Sequence, residues 1–277
     1  MISHEGPDGV RYLTFRSLED LPYVRHAFST RRGGVSTSVY ESMNLGFGRG
    51  DDHPNVLRNF QTFCGATGID IHSLVFGAQT HSATVRRVYA GDRGIGIDRL
   101  VPWTDTDGLT TDDPDVFLAT FYADCVPLFF VDTVKRSVAL SHAGWRGTVA
   151  NMADATIRRM ISEFGSTPSD IHAAIGPSIG ICCFEVGQEV ADEFTRLPAG
   201  FTDGCIQFKA EVQEGRPMKY WIDLKEINRR MMVGSGILPE HIEAADICTS
   251  CNSEWLFSHR ASDGERGSLC AVLGIAE

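Results

Sequence analysis

No apolar run in this 277-residue chain approaches the ~20 residues needed to span a bilayer, so no membrane helix is expected. The opening residues, Met1-Ile2-Ser3-His4-Glu5-Gly6-Pro7, lack the basic stretch and apolar core of a secretory signal, which points to a cytoplasmic protein. Nucleotide-phosphate loops are missing as well. There is no Gly-Lys dipeptide and hence no Walker A loop, and Gly91, Gly94 and Gly96 have the wrong spacing for a dinucleotide fingerprint. No two histidines stand in a His-x-His pair, the element that oxygen-reducing copper oxidases use repeatedly. Positive charge is scarce: a formal net charge of -11 argues against nucleic acid and against an anionic membrane surface as partners. An anionic substrate would need a local basic pocket. No repeat, low-complexity segment or Pro/Ser-rich linker divides the chain, so residues 1–277 read as one domain.

What is present suits a large buried core, with 43% hydrophobic against 22% charged residues. Eight cysteines without an export signal suggest free thiols in a reducing compartment. Cys64, Cys205 and Cys270 read as small buried hydrophobes. Strands are expected at residues 21–29, 74–78, 84–89, 116–121 and 268–275. Helical spacing covers residues 149–164, with Gly165 as the stop, and helices are also expected over 187–196 and 224–232. The central feature is an antiparallel hairpin, not a β-α-β crossover. An α+β domain with mixed sheets follows.

That hairpin carries the chemistry. Ala123-Asp124-Cys125-Val126-Pro127 opens one apolar strand, and Ser141-His142-Ala143-Gly144-Trp145-Arg146-Gly147 ends the next. With the turn at residues 132–135, Cys125 falls directly opposite His142, a separation of roughly 5 Å between Cβ atoms. His81, in Gln79-Thr80-His81-Ser82 at a turn between two strands, supplies a third donor. Two imidazoles and one thiolate suit zinc, and a widely spaced three-residue set leaves a fourth position for water, as catalytic sites do. Arg146 places a positive charge near His142 at a helix N-terminus. A second candidate anion loop is Ser29-Thr30-Arg31-Arg32-Gly33-Gly34-Val35-Ser36, in which Arg31 clamps phosphate while Gly33 and Gly34 permit close backbone approach. Asn44, in Asn44-Leu45-Gly46, presents an amide to the same cavity. The glycine/proline loop from Gly176 to Val186 reads as a pocket wall, with Cys182-Cys183 within it. Cys248-Thr249-Ser250-Cys251 has metal-ligand spacing but no second C-x-x-C to complete it.

Taken in order, these motifs resemble the laccase-domain family of purine nucleoside phosphorylases, whose members were long labelled polyphenol oxidases. The likeness runs from about residue 25 to 190 and resumes at Phe257-Ser258-His259-Arg260. It implies a layered α/β/β/α sandwich with mixed sheets and a zinc ion on His81, Cys125 and His142. It also implies phosphorolysis of adenosine, inosine, guanosine and methylthioadenosine, together with adenosine deamination. Purine nucleosides and phosphate are then the partners, with His81, Cys125 and His142 catalytic and Arg31, Gly33, Gly34, Asn44, Gln79, Arg146 and Cys183 binding substrate. Where the family has an aromatic residue, two arginines and an aspartate, this chain reads His259-Arg260-Ala261-Ser262-Asp263, so no contact is carried over there. Three other functions compete. A thiol hydrolase would use Cys125 and His142 alone. A copper-dependent polyphenol oxidase follows from the family's old label. A binding module would hold its zinc structurally.

Overall fold

The computed structural model describes residues 1–208 and 218–276. Two six-stranded mixed sheets lie face to face. The first runs Ile2–Glu5, Arg11–Thr14, Val24–Ser29, Leu269–Ile275, Phe117–Tyr122 and Leu74–Phe76, in spatial order. The second runs Ile242–Ala244, Ile171–Ile175, Val126–Asp132, Ser137–Ala143, Gly108–Thr111 and Val85–Arg87. A small third sheet joins Glu185–Val186, Tyr220–Ile222 and Ile206–Phe208.

The layering can be read residue by residue, because successive strand side chains point to opposite faces. Along Val126–Asp132, Phe129 and Val131 enter the layer between the sheets, whereas Val126, Leu128 and Phe130 meet the helices Met152–Phe164 and Leu224–Gly234. Along Leu269–Ile275, Leu269, Ala271 and Leu273 face inward, while Cys270 and Val272 pack against Phe60 and Phe63 of the helix His53–Thr67. Strands covered on both faces read as unbroken apolar runs, which is why these two do not alternate in sequence. The result is the expected α/β/β/α sandwich. No helix among the described residues is long and apolar enough to cross a membrane.

Two local expectations are corrected. The helical stretch after Gly147 is two helices, Trp145–Val149 and Met152–Phe164, because Asn151 adopts φ +56° between them. Asparagine tolerates that conformation better than most residues, and its side chain then accepts from the Asp154 amide at 3.2 Å as the second helix's N-cap. Gly165 at φ +67° does end that helix. The hairpin register also differs. The Asp132 carboxylate accepts from the Val134 and Lys135 amides, at 2.9 and 2.8 Å, and Arg136 takes φ +51°. This side chain–backbone turn displaces the loop to residues 133–136, so that Asp132 pairs with Ser137 and Pro127 with His142. Cys125 therefore lies not opposite His142 but level with Gly144, one pair beyond the last. A two-residue slip preserves the face, and both side chains still point toward the layer between the sheets.

Candidate active site

One donor atom from each of His81, Cys125 and His142 lies within 4.8 Å of the other two. The corrected register explains how they fit. A Cβ on Gly144 would stand 2.8 Å from His81 Cδ2 and 3.0 Å from Cys125 Sγ, so only glycine at that level leaves room for the cluster. His142 is buried and stacks edge-on to His81, with ring centroids 5.0 Å apart.

Asp107, fully buried at the start of the Gly108–Thr111 strand, organises all of this. Its Oδ1 accepts from His142 Nδ1 at 2.8 Å and from the His81 amide at 3.0 Å. Its Oδ2 accepts from the Thr80 and Ser82 amides, at 2.9 and 3.0 Å, and from Ser82 Oγ at 3.1 Å. One carboxylate thus holds His81 at φ +68°, a conformation uncommon outside glycine, and fixes the orientation of His142. Burial alone would raise the Asp107 pKa, but the His142 hydrogen bond and the amides of Thr80 and Ser82 outweigh it and hold it at about 2. Burial likewise opposes charge on Cys125 and His142. Their mutual attraction, reinforced by His81 on the thiol and Asp107 on the ring, overcomes that penalty. Cys125 is drawn below an ordinary thiol and His142 is held above an ordinary imidazole.

The three donors open onto a cavity of about 850 Å³. Phe76, Phe121, Tyr122, Trp145 and Phe184 give it aromatic walls, and Arg49, Arg146, Arg260 and Arg266 make it basic despite the acidic chain. Arg266 is buried. Its Nη1 donates to Gly267 O and Ser268 Oγ, both at 3.1 Å, and its Nε has no partner among the described residues. Burial, then the nearby charge of Arg49, pushes its pKa down to about 10, which still leaves it charged at neutral pH. An anion in the cavity would relieve both strains.

The remaining expected residues divide. Gln79 and Arg146 line the cavity. The Gln79 amide is engaged at both ends, donating to Phe121 O at 2.8 Å and accepting from Phe121 N at 2.7 Å. The Arg146 guanidinium lies 4.1 Å from the centroid of the Trp145 ring.

The loop at residues 29–36 does not reach this cavity. Arg31 donates to Ser253 O at 3.1 Å and lies over Phe257. Gly33, at φ +86°, and Gly34 are glycines because a Cβ would strike Val10 at 2.5 Å or Ser42 O at 2.2 Å. Their close approach is to this chain's own backbone. Asn44 is fully buried, with Oδ1 accepting from Gly46 N and Ser268 N and Nδ2 donating to Asp51. It shapes the Gly46–Arg49 wall without entering it. Cys183 is not part of the lining; its Sγ lies 3.4 Å from Cys251 Sγ.

Sequence reasoning missed Asp107, Arg49 and Arg266. Asp107 sits in Asp105-Thr106-Asp107-Gly108, which matches no motif spacing, and its only signal is a carboxylate entering a strand.

A family model described as multi-copper polyphenol oxidoreductase laccase matches residues 25–276. "Purine nucleoside phosphorylase YlmD" of Bacillus subtilis (strain 168) is 38% identical over 251 residues, covering 90% of this chain and 88% of that protein. "Adenosine deaminase RL5", from an unknown prokaryotic organism, is 36% identical over 250 residues, covering 88% of this chain and 93% of its own length. The crystal structure of YlmD from Geobacillus stearothermophilus matches with a TM-score of 0.88 at 32% identity, covering 100% of this chain and 99% of that one.

Proposed function

This chain belongs to the multi-copper polyphenol oxidoreductase laccase family, and on that premise we propose that it is a zinc-dependent purine nucleoside phosphorylase with adenosine deaminase activity at the same site. Adenosine, inosine, guanosine and methylthioadenosine are its nucleoside substrates, phosphate is the co-substrate, and residues 1–277 act as one domain. The observation that carries this reading is the convergence of His81, Cys125 and His142 at the wall of a basic, aromatic-lined cavity. Relatives named for both activities support it.

The donor set fits zinc. Two imidazole nitrogens and a thiolate within 4.8 Å of one another would hold zinc by three protein ligands, and Asp107 supplies the carboxylate partner that zinc-binding histidines commonly have. Oxygen-reducing copper chemistry needs several imidazole-rich groups. The other metal-competent group among the described residues is made of cysteines alone. Zinc held here would act as a Lewis acid toward a substrate atom or water at the open position.

The chain's own residues do the rest. Arg266 and Arg49, in place of Arg31, hold the phosphate, and the partnerless Arg266 Nε is one donor toward it. Arg260 and Arg146 extend the basic wall. Phe121, Phe184 and Trp145 offer faces on which a purine stacks. Asp107 keeps the His142 Nδ1 proton in place, so that the other ring nitrogen serves as ligand. Eight free cysteines suit the reducing conditions of the cytoplasm.

Incubation with inosine and adenosine, with and without phosphate, tests the proposal. Free base and ribose 1-phosphate formed only with phosphate support it, and nucleosides left intact under both conditions would sink it. The Asp107–His142–Cys125 array favours one alternative, a thiol hydrolase with Cys125 as nucleophile and His142 as base. That reading leaves His81 without a task. Stoichiometric metal in the purified protein that protects Cys125 from alkylation would eliminate it.

A further inference from the structure

The C-x-x-C that lacks a second pair in sequence acquires one in space. The sulfurs of Cys248 and Cys251 meet those of Cys182 and Cys183, and all four lie within 4.8 Å of one another. Cys251 Sγ is 3.4 Å from Cys183 Sγ and 3.6 Å from Cys182 Sγ. Adjacent cysteines diverge in a strand, but residues 181–183 form a turn in which the Cys183 amide donates to Gly180 O at 2.9 Å. The turn brings both side chains to one point. Cys248 Sγ accepts from the Gly180 amide at 3.2 Å, which fixes the sulfur beside the turn that carries Cys182 and Cys183. Gly180 has the role here that Gly144 has at the other cluster. A Cβ on it would lie 3.2 Å from Cys182 Sγ and 3.3 Å from Cys248 Cβ.

Four thiolates around one zinc at ~2.3 Å stand ~3.8 Å apart in a regular tetrahedron. The observed spread matches one ion and leaves no room for a cluster with bridging atoms of its own. We propose that Cys182, Cys183, Cys248 and Cys251 bind a second zinc ion, four-coordinate and closed, with a structural role.

The ion would clamp two loops that build the catalytic pocket. One carries Ile179 and Phe184 of the cavity wall. In the other, Thr249 Oγ1 donates to Asp124 Oδ1 at 2.6 Å, next to the ligand Cys125. The Asp124 carbonyl accepts from Ile179 N at 2.9 Å, and Arg260 of the cavity wall donates to Cys183 O at 2.7 Å. Both loops therefore meet at Asp124, which itself sits at φ +89°. Metal binding by these cysteines fixes the backbone from which Cys125 projects. Ligation releases the four thiol protons to solvent and involves no change of oxidation state.

The test counts metal in protein purified without added metal, using the whole chain, the double variant Cys248→Ser/Cys251→Ser, and His81→Ala. Two zinc ions per chain are expected in the parent and one in each variant. The cobalt-substituted His81→Ala protein is expected to show the intense sulfur-to-metal absorption of a four-thiolate centre. This outcome does not depend on the phosphorylase reading. If that reading alone is wrong, the parent and His81→Ala hold the same single ion and the double variant none. One ion in the parent that disappears only in His81→Ala would overturn the second site. So would a Cys182–Cys251 or Cys183–Cys251 disulfide found under anaerobic purification. Should the double variant fail to fold, the cobalt spectrum of His81→Ala decides: a spectrum without four-thiolate absorption refutes the proposal.

Discussion

Replacing Asp107 with asparagine changes one atom and should disable the metal centre. The carboxylate accepts six hydrogen bonds, two on Oδ1 and four on Oδ2. An asparagine keeps one oxygen, so its NH₂ must face at least two donors whichever way it turns. If it faces His142, the ring proton is driven from Nδ1 to the nitrogen directed at Cys125, which can then no longer bind metal. If it faces Thr80 and Ser82, two part-buried amides lose their acceptor, and the loop that holds His81 at positive φ loosens. Loss of such a carboxylate partner typically weakens metal binding 10–100-fold, about 1.4–2.7 kcal/mol. Competition against a chromophoric chelator measures that directly, and thermal melting of the metal-free protein reports the loop. An asparagine variant with parental zinc affinity and parental melting temperature would refute this account of how the site is held.

Three further outcomes follow from the same geometry. Gly144→Ala puts a methyl against His81 and Cys125; it should abolish zinc binding at this site while circular dichroism stays native, and a variant with parental metal content would contradict the packing argument. Arg266→Gln should raise KM for phosphate at least tenfold and change KM for inosine far less, whereas Arg31→Gln should leave KM for phosphate unchanged; the reverse pattern would restore the loop at residues 29–36 as the anion site. Because the folded-state pKa of Asp107 lies below its unfolded value, its contribution is present at neutral pH and lost as pH falls from about 4 through about 2. The size is about 2 kcal/mol, with about half gone by pH ~3. Urea unfolding of metal-free parent and Asp107→Asn should show their stability gap closing over that range, and a gap independent of pH would be inconsistent with a buried carboxylate.

Much of this was legible in sequence because it rests on local periodicity. The apolar runs of the hairpin, the helical face ending at Gly165, and the shared face of Cys125 and His142 all follow from residue spacing. The register was not, because it turns on one side chain, Asp132, that captures two amides and shifts the turn. Likewise, Asn151 could be read as a helical residue until its left-handed backbone split the helix. Arg31, Gly33 and Gly34 look like a phosphate loop because glycine permits close approach to a ligand and to a neighbouring backbone alike; composition cannot tell the two apart. Arg266 and Asp107 gave no signal, since what distinguishes them is burial and convergence from distant segments. The four cysteines failed for the same reason: two adjacent and two spaced residues, 66 positions apart, become one group only after folding.

The central claim is that His81, Cys125 and His142 share one metal ion that keeps a position open to the cavity. Anomalous diffraction at the zinc edge, from crystals grown without added metal, tests it directly. The account predicts a peak about 2.0–2.3 Å from the three donors, with a non-protein fourth ligand on the cavity side. No peak there, or a fourth bond from a protein side chain that closes the position, would contradict it.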